Sequence, residues 1–151
     1  MTSRAQKIII GITVADFIVV AAFGVLVGAA LYGWKAALRA GNEAATLQNL
    51  KTIAAVEIQY FNTHKRAFGT FEELIKEQML TSKFAGNPPI VDGYVMTLKV
   101  TPRTTTSTTS YTLNADPQDN GSGTNHFYID STDSSIHLNQ TQAAGPNDPV
   151  Q

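Results

Sequence analysis

From Lys7 to Trp34 the chain reads KIIIGITVADFIVVAAFGVLVGAALYGW, an apolar run in which Asp16 is the single charge after Lys7. Thr13 and Tyr32 are its only other polar side chains before Trp34. About 20 apolar residues in a helix cross the roughly 30 Å of bilayer hydrocarbon, so the run is long enough to span one. A secretory signal has a shorter apolar core, about 7–15 residues, closed by a small-residue cleavage site. This run exceeds that and flows into further helical pattern without a break, so a membrane helix is expected.

Asp16 is the anomaly in it. A carboxylate inside an apolar span costs several kcal/mol unless partnered, which makes it a candidate functional residue. The alternative is that Asp16, nine residues past Lys7, stays wet near the headgroups. Gly24 and Gly28 form a GxxxG step that lets two membrane helices approach closely. Together with Gly33 they also lower helix propensity, by roughly 1 kcal/mol each relative to alanine, so the stretch can bend. Glycines are equally an ordinary feature of membrane helices. Arg4 and Lys7 place the short basic N-terminal end in the cytoplasm by the positive-inside rule, an asymmetry that Lys35 and Arg39 reduce.

Composition narrows the rest. The chain has 151 residues, a net charge of −1 and no cysteine. Beyond the apolar run roughly 115 residues remain, enough for one small core. The charge argues against nucleic-acid binding, which needs a clustered basic surface. Without cysteine there is no disulfide framework, thiolate metal site or thiol nucleophile.

The helical pattern continues past Trp34 to about His64. Leu47, Leu50, Ala54, Ile58 and Phe61 fall at i, i+3 and i+4 spacing, the stripe of an amphipathic helix. Ile53, Val56 and Tyr60 widen it toward its C-terminal end, and Asn42, Glu43, Gln48, Asn49, Lys51 and Thr52 take much of the rest. A helix unbroken from Ile12 to His64 would be about 80 Å long. The residues around Arg66–Gly69 break it. Thr70 and Glu73 form a capping box for a second helix, FEELIKEQML, expected to run to about Leu80 and to bury Phe71, Leu74, Ile75 and Leu80. Past the loop Gly86-Asn87-Pro88-Pro89 the period changes. Tyr94–Val100, Ser110–Asn114, His126–Asp130 and Ser135–Leu138 read as four strands with polar turns, an antiparallel meander. The fold class is therefore α+β, a long N-terminal helix packed under a small antiparallel sheet.

With these elements in place the N-terminal third resembles the type IV pilins and the related pseudopilins. Gly11 matches the glycine before their cleavage point, Ile12 the mature N-terminus, Thr13 the second position and Asp16 the acidic fifth. Phe17–Ala21 resembles their apolar stretch, and Gly33 stands where many members carry a kinking proline. The motif is confined to about residues 7–33, while the likeness in architecture covers the whole chain. Three departures stand out: isoleucine at 12 where phenylalanine is usual, aspartate at 16 where glutamate is usual, and no disulfide-closed C-terminal loop.

The resemblance implies a leader at 1–11, a membrane or filament-core helix at 12–34 and an amphipathic half at 35–64. A short helix with an antiparallel sheet would fill 65–139, and a polar tail 140–151. It implies cleavage after Gly11 by a prepilin peptidase, residence in the inner membrane, then assembly with copies of itself by pilus machinery into an extracellular filament. The freed Ile12 amine of one subunit would pair with the Asp16 carboxylate of its neighbour. The alternatives are a pseudopilin of a type II secretion system, or a single-pass membrane protein with a binding ectodomain.

Other sites are weak in the sequence. His64, His126 and His137 lack metal-ligand spacing. Asp116–Gly121 faintly suggests a calcium loop, but Phe127 stands where an EF-hand needs glutamate, so a polar turn is expected. No GxSxG occurs, and neither enzymatic activity nor a cofactor nor a resident metal is expected. Thr101–Ser110 is hydroxyl-rich and reads as an exposed hairpin loop, where O-glycosylation is conceivable. The tail Gln140–Gln151 has no core pattern and should lie along the surface or be loose. Tyr32, Trp34, Tyr60 and Phe61 read as interface and core residues rather than a conduction path.

Overall fold

The structure, a computed structural model, describes the backbone of residues 2–151, with side chains at Val20, Val25, Val27, Gly28 and from residue 30 onward. The chain is α+β. Helix α1 spans Thr2–Thr63 and α2 spans Phe71–Lys76, followed by a 3₁₀ turn at Ser82–Phe84. Five strands follow: β1 Ile90–Val91, β2 Tyr94–Thr101, β3 Ser110–Pro117, β4 His126–Asp130 and β5 His137–Asn139. They form one antiparallel sheet in sequence order, a meander. The chain divides into two compact units, Met1–Ala37 and Leu38–Gln151.

In the second unit the inner face of the sheet supplies Tyr94, Met96, Tyr111, Leu113, Ala115, Phe127 and Ile129 to a core completed by Leu50, Ile53, Ala54 and Tyr60 of α1. Alternation along β2 and β3 accounts for which residues enter it, since successive strand side chains point to opposite faces.

The helical stripe differs from the expected one. Ile58 is 51% exposed, while Thr46, Asn49 and Glu57 are buried. The inward positions run 46, 50, 53, 57 and 60, alternating steps of four and three. Ile58 sits one residue round the helix from that line, and a carboxylate takes the position hydrophobicity alone would fill.

The second helix ends at Lys76 rather than near Leu80. Its capping box is present, with Glu73 N–H donating to Thr70 Oγ1 and Thr70 N–H to Glu73 Oε2. Its end is set by Gln78 at φ 58°. Gln78 N–H donates to Ile75 O and Met79 N–H to Leu74 O, the paired bonds of a left-handed C-terminal stop. Leu80 is still buried, but from outside the helix.

Strand β1 was not expected, because two residues after a Pro-Pro pair carry no period. Strand β3 runs on to Pro117, opposite Tyr94, where its missing N–H falls at the strand's last position. Strand β5 begins at His137, two residues later than expected.

The tail is held rather than loose. Leu138 N–H donates to Pro149 O, Gln151 N–H to Ile136 O, and Asn114 Nδ2 to Ala144 O. Ala144 is buried on the outer sheet face, where Asn114, Tyr128 and His137 are cross-strand neighbours.

Candidate functional site

Four residues on the sheet-facing side of α1 carry the polar connections to the rest of the second unit. Asn42 Nδ2 donates to Ser122 O at 2.9 Å. The Glu43 carboxylate accepts from Thr124 N–H and Oγ1–H at 2.8 and 3.0 Å, and from Asn125 N–H and Nδ2–H at 3.3 and 2.7 Å. Burial pushes the Glu43 carboxyl up, but these donors outweigh it and hold it below the usual carboxylate range. Asn49 accepts from Lys83 Nζ and donates to Asp92.

Glu57 completes the row. It is 0% exposed, and its Oε2 accepts the Gly69 N–H at 2.9 Å. Its Oε1 is buried without a partner, as are the hydroxyls of Tyr111 and Thr46. Burial pushes the Glu57 carboxyl up to about 7; the Gly69 N–H offsets part of this and the charge of Glu73 adds to it. Tyr111 is pushed up to about 12 by burial, then by the charges of Glu57 and Asp130. A Cβ at residue 69 would stand 2.8 Å from Leu74 Cδ2, so a glycine there lets the backbone close on Glu57.

These anchors fix rotation and register of α1 beneath the sheet, because each polar group must meet one particular loop. The sequence reading set Asn42, Glu43 and Asn49 outside the apolar stripe and did not single out Glu57. Their signal was present only as heptad-like spacing with Leu50 and Ile53, and polar residues at such positions ordinarily read as surface.

A cleft of about 510 Å³ is lined by Arg39, the 117–124 loop, His126, Gln140 and Thr141. Asp119, in its lining, and Asp116, which pairs with its His126, are already engaged. Asp116 Oδ1 meets His126 Nδ1 at 2.6 Å, and Asp119 Oδ1 accepts from Gly121 N–H and Ser122 Oγ. Those same bonds hold the Asp119 carboxyl below its ordinary range. Among the described residues no group of three or more histidines or carboxylates is placed to hold a metal ion. The histidines are dispersed: His64 stacks on Tyr60 at 3.8 Å, and His137 Nδ1 meets Asp148 O.

In the first unit Val20, Val27, Leu31 and Trp34 are exposed, Trp34 by 70%. Their steps of seven, four and three place them on one face of α1. Val25 and Tyr32, seven apart, are exposed on another. Gly28 and Gly33 lie within the helix with open space around them. Gly11, Ile12, Thr13, Asp16 and Gly24 fall within the backbone span of α1, but their side chains, like those of much of the Lys7–Trp34 run, lie outside the described residues. Among the described residues no helix is long and apolar enough to cross a membrane. No protein-family model, curated protein or solved structure matches the chain.

Proposed function

We propose that the chain is a structural subunit of a type IV pilus-like filament, polymerising through the apolar part of α1 while the unit Leu38–Gln151 forms its outer surface. The reading is carried by the exposed apolar line Val20, Val27, Leu31 and Trp34. A contiguous apolar surface of this kind calls for lipid or protein to cover it. It is supported by the Gly11-Ile12-Thr13 and Asp16 pattern and by an α+β architecture of long helix and antiparallel meander.

Cleavage after Gly11 creates a positive charge at Ile12. In an apolar filament core the Asp16 carboxylate of one subunit pairs with the Ile12 amine of the next. Removing one member of such a pair leaves an uncompensated buried charge, which is strongly destabilising. The pair sets the axial register, and burial of the apolar helices supplies most of the cohesion.

The test is Asp16→Ala in the native host. The variant should reach the membrane in normal amount and yield no sheared surface filament, and the wild-type subunit should begin at Ile12. Normal filament yield from Asp16→Ala cells, or mature subunits that retain Met1, would sink the reading.

A further inference from the structure

The loop between β3 and β4 carries the one Asn-Gly pair in the chain, Asn120-Gly121, and both residues are exposed. Such a pair is prone to spontaneous loss of the side-chain amide, because glycine has no Cβ to keep its backbone nitrogen off the preceding carboxamide. In that uncatalysed reaction the Gly121 N–H gives its proton to solvent, and the freed electron pair attacks Asn120 Cγ. The new N–C bond closes an imide ring while the Cγ–Nδ2 bond breaks. Its electron pair leaves with the nitrogen, which takes up a proton and departs as ammonia. Water then opens the imide at either carbonyl, giving aspartate or isoaspartate at residue 120.

The turn around this pair points the attacking nitrogen elsewhere. Gly121 N–H donates to Asp119 Oδ1 at 2.7 Å, and Ser122 N–H donates to Asp119 O at 3.1 Å. Ser122 Oγ donates to the same Oδ1 at 3.0 Å, which holds the carboxylate in place. An amide nitrogen has no in-plane lone pair until its proton is gone, and the pair then lies along the old N–H direction. At Gly121 that direction ends on Asp119 Oδ1 rather than on Asn120 Cγ, whereas reaction needs the two atoms about 3–3.5 Å apart with their orbitals aligned. The Asp119 carboxylate also opposes the second negative charge that deprotonation would create beside it.

We propose that Asp119 locks this modification site: it withholds the Gly121 nitrogen from the imide and so keeps residue 120 an asparagine in the folded protein. What the lock protects is the anchoring of α1. Isoaspartate puts an extra methylene into the backbone and shifts the loop residues that follow it. Among them is Ser122, whose carbonyl accepts from Asn42 Nδ2 at 2.9 Å. Thr124 and Asn125 come next, and between them they donate four hydrogen bonds to the Glu43 carboxylate. A Cβ at residue 93 would stand 2.9 Å from Ser122 Cβ, so the turn at Asp92 and Gly93 leaves Ser122 little room to move. Conversion at residue 120 would therefore strain the bonds that set the register of α1 beneath the sheet.

Ageing the purified full-length protein in mildly alkaline buffer, followed by peptide mapping and an isoaspartate assay, tests the lock. Wild-type protein unfolded in urea sets the unlocked rate. The folded wild type should convert at residue 120 at least about tenfold more slowly than that. Asp119→Ala, checked for wild-type circular dichroism, should lose most of the difference. It should also quicken hydrogen exchange at the Gly121 amide by a similar factor, a change that looser packing elsewhere would not produce. Folded wild-type protein that converts as fast as the unfolded chain would overturn the proposal. So would a folded Asp119→Ala protein that ages no faster than the wild type, or one that ages faster while exchange at Gly121 is unchanged.

Discussion

Glu57 shows how one side chain can bind stability to pH. It lies in the core stripe of α1 with one oxygen on the Gly69 N–H and the other unpartnered. Burial, with a contribution from the charge of Glu73, raises its carboxyl from an ordinary 4.5 to about 7. The fold therefore favours the protonated form, and that stabilisation is complete below the unfolded value and is lost as pH rises through the folded one. The gap corresponds to about 3 kcal/mol at most. Glu57→Gln keeps an oxygen for Gly69 and stays neutral throughout. Urea melts of the two proteins should agree near pH 4 and separate up to pH 8, the Gln variant ending more stable by about 2–3 kcal/mol. Curves that stay parallel across that range would remove the charge from the account. The sequence did not single out Glu57, because a carboxylate at helical spacing among Leu50, Ile53 and Tyr60 ordinarily marks the edge of a stripe. What makes it interior is Gly69, twelve residues on, and no local pattern foretells that contact.

At the scale of elements, legibility followed the strength of local rules. The capping box at Thr70 and Glu73, the alternation of β2 and β3, the bounds of β4, and the exposed Thr/Ser-rich hairpin are all settled by neighbours in sequence, and each stands as read. The end of α2 was misjudged because Gln78 carries no sign of its left-handed backbone. Of the two expectations for the tail, lying along the surface is the one that holds, and its pattern could not choose between them because its bonds are made by backbone groups and by Asp148, which accepts from Asn139 Nδ2 and Gly145 N–H. It covers the edge of β5, and an uncovered edge is a template for unwanted pairing. A chain ending at Gln142 loses the bonds from Leu138 to Pro149, from Gln151 to Ile136 and from Asn114 to Ala144. At about 0.5–1.5 kcal/mol each, the cost should be about 2–4 kcal/mol. Hydrogen exchange should quicken at Leu138 while the Leu113 amide, inside the sheet, keeps a larger share of its protection. Unchanged exchange at Leu138 would mean that the tail contributes nothing to the sheet.

For the molecule as a whole, the proposed function assigns association to the first unit, and the described core lies in the second. Every residue in the described hydrophobic core belongs to Leu38–Gln151, the earliest being Leu47 on its margin. The large apolar side chains described before Leu38 are exposed instead. Folding of the second unit therefore owes little to residues 1–34. Burying Val20, Val27, Leu31 and Trp34 against lipid or a neighbour would release about 1.5–3 kcal/mol each for a side chain of this size, before the cost of immobilising a partner. A chain beginning at Lys35 should accordingly unfold within a few degrees of the full-length protein and sediment as a monomer without detergent. The full-length chain should require detergent or lipid to stay dispersed. The two readouts fail independently. A truncated chain that unfolds far lower would place part of the core's support in the removed helix. One that is stable yet self-associates as strongly as the full chain would move the assembly surface onto the sheet-bearing unit, away from α1.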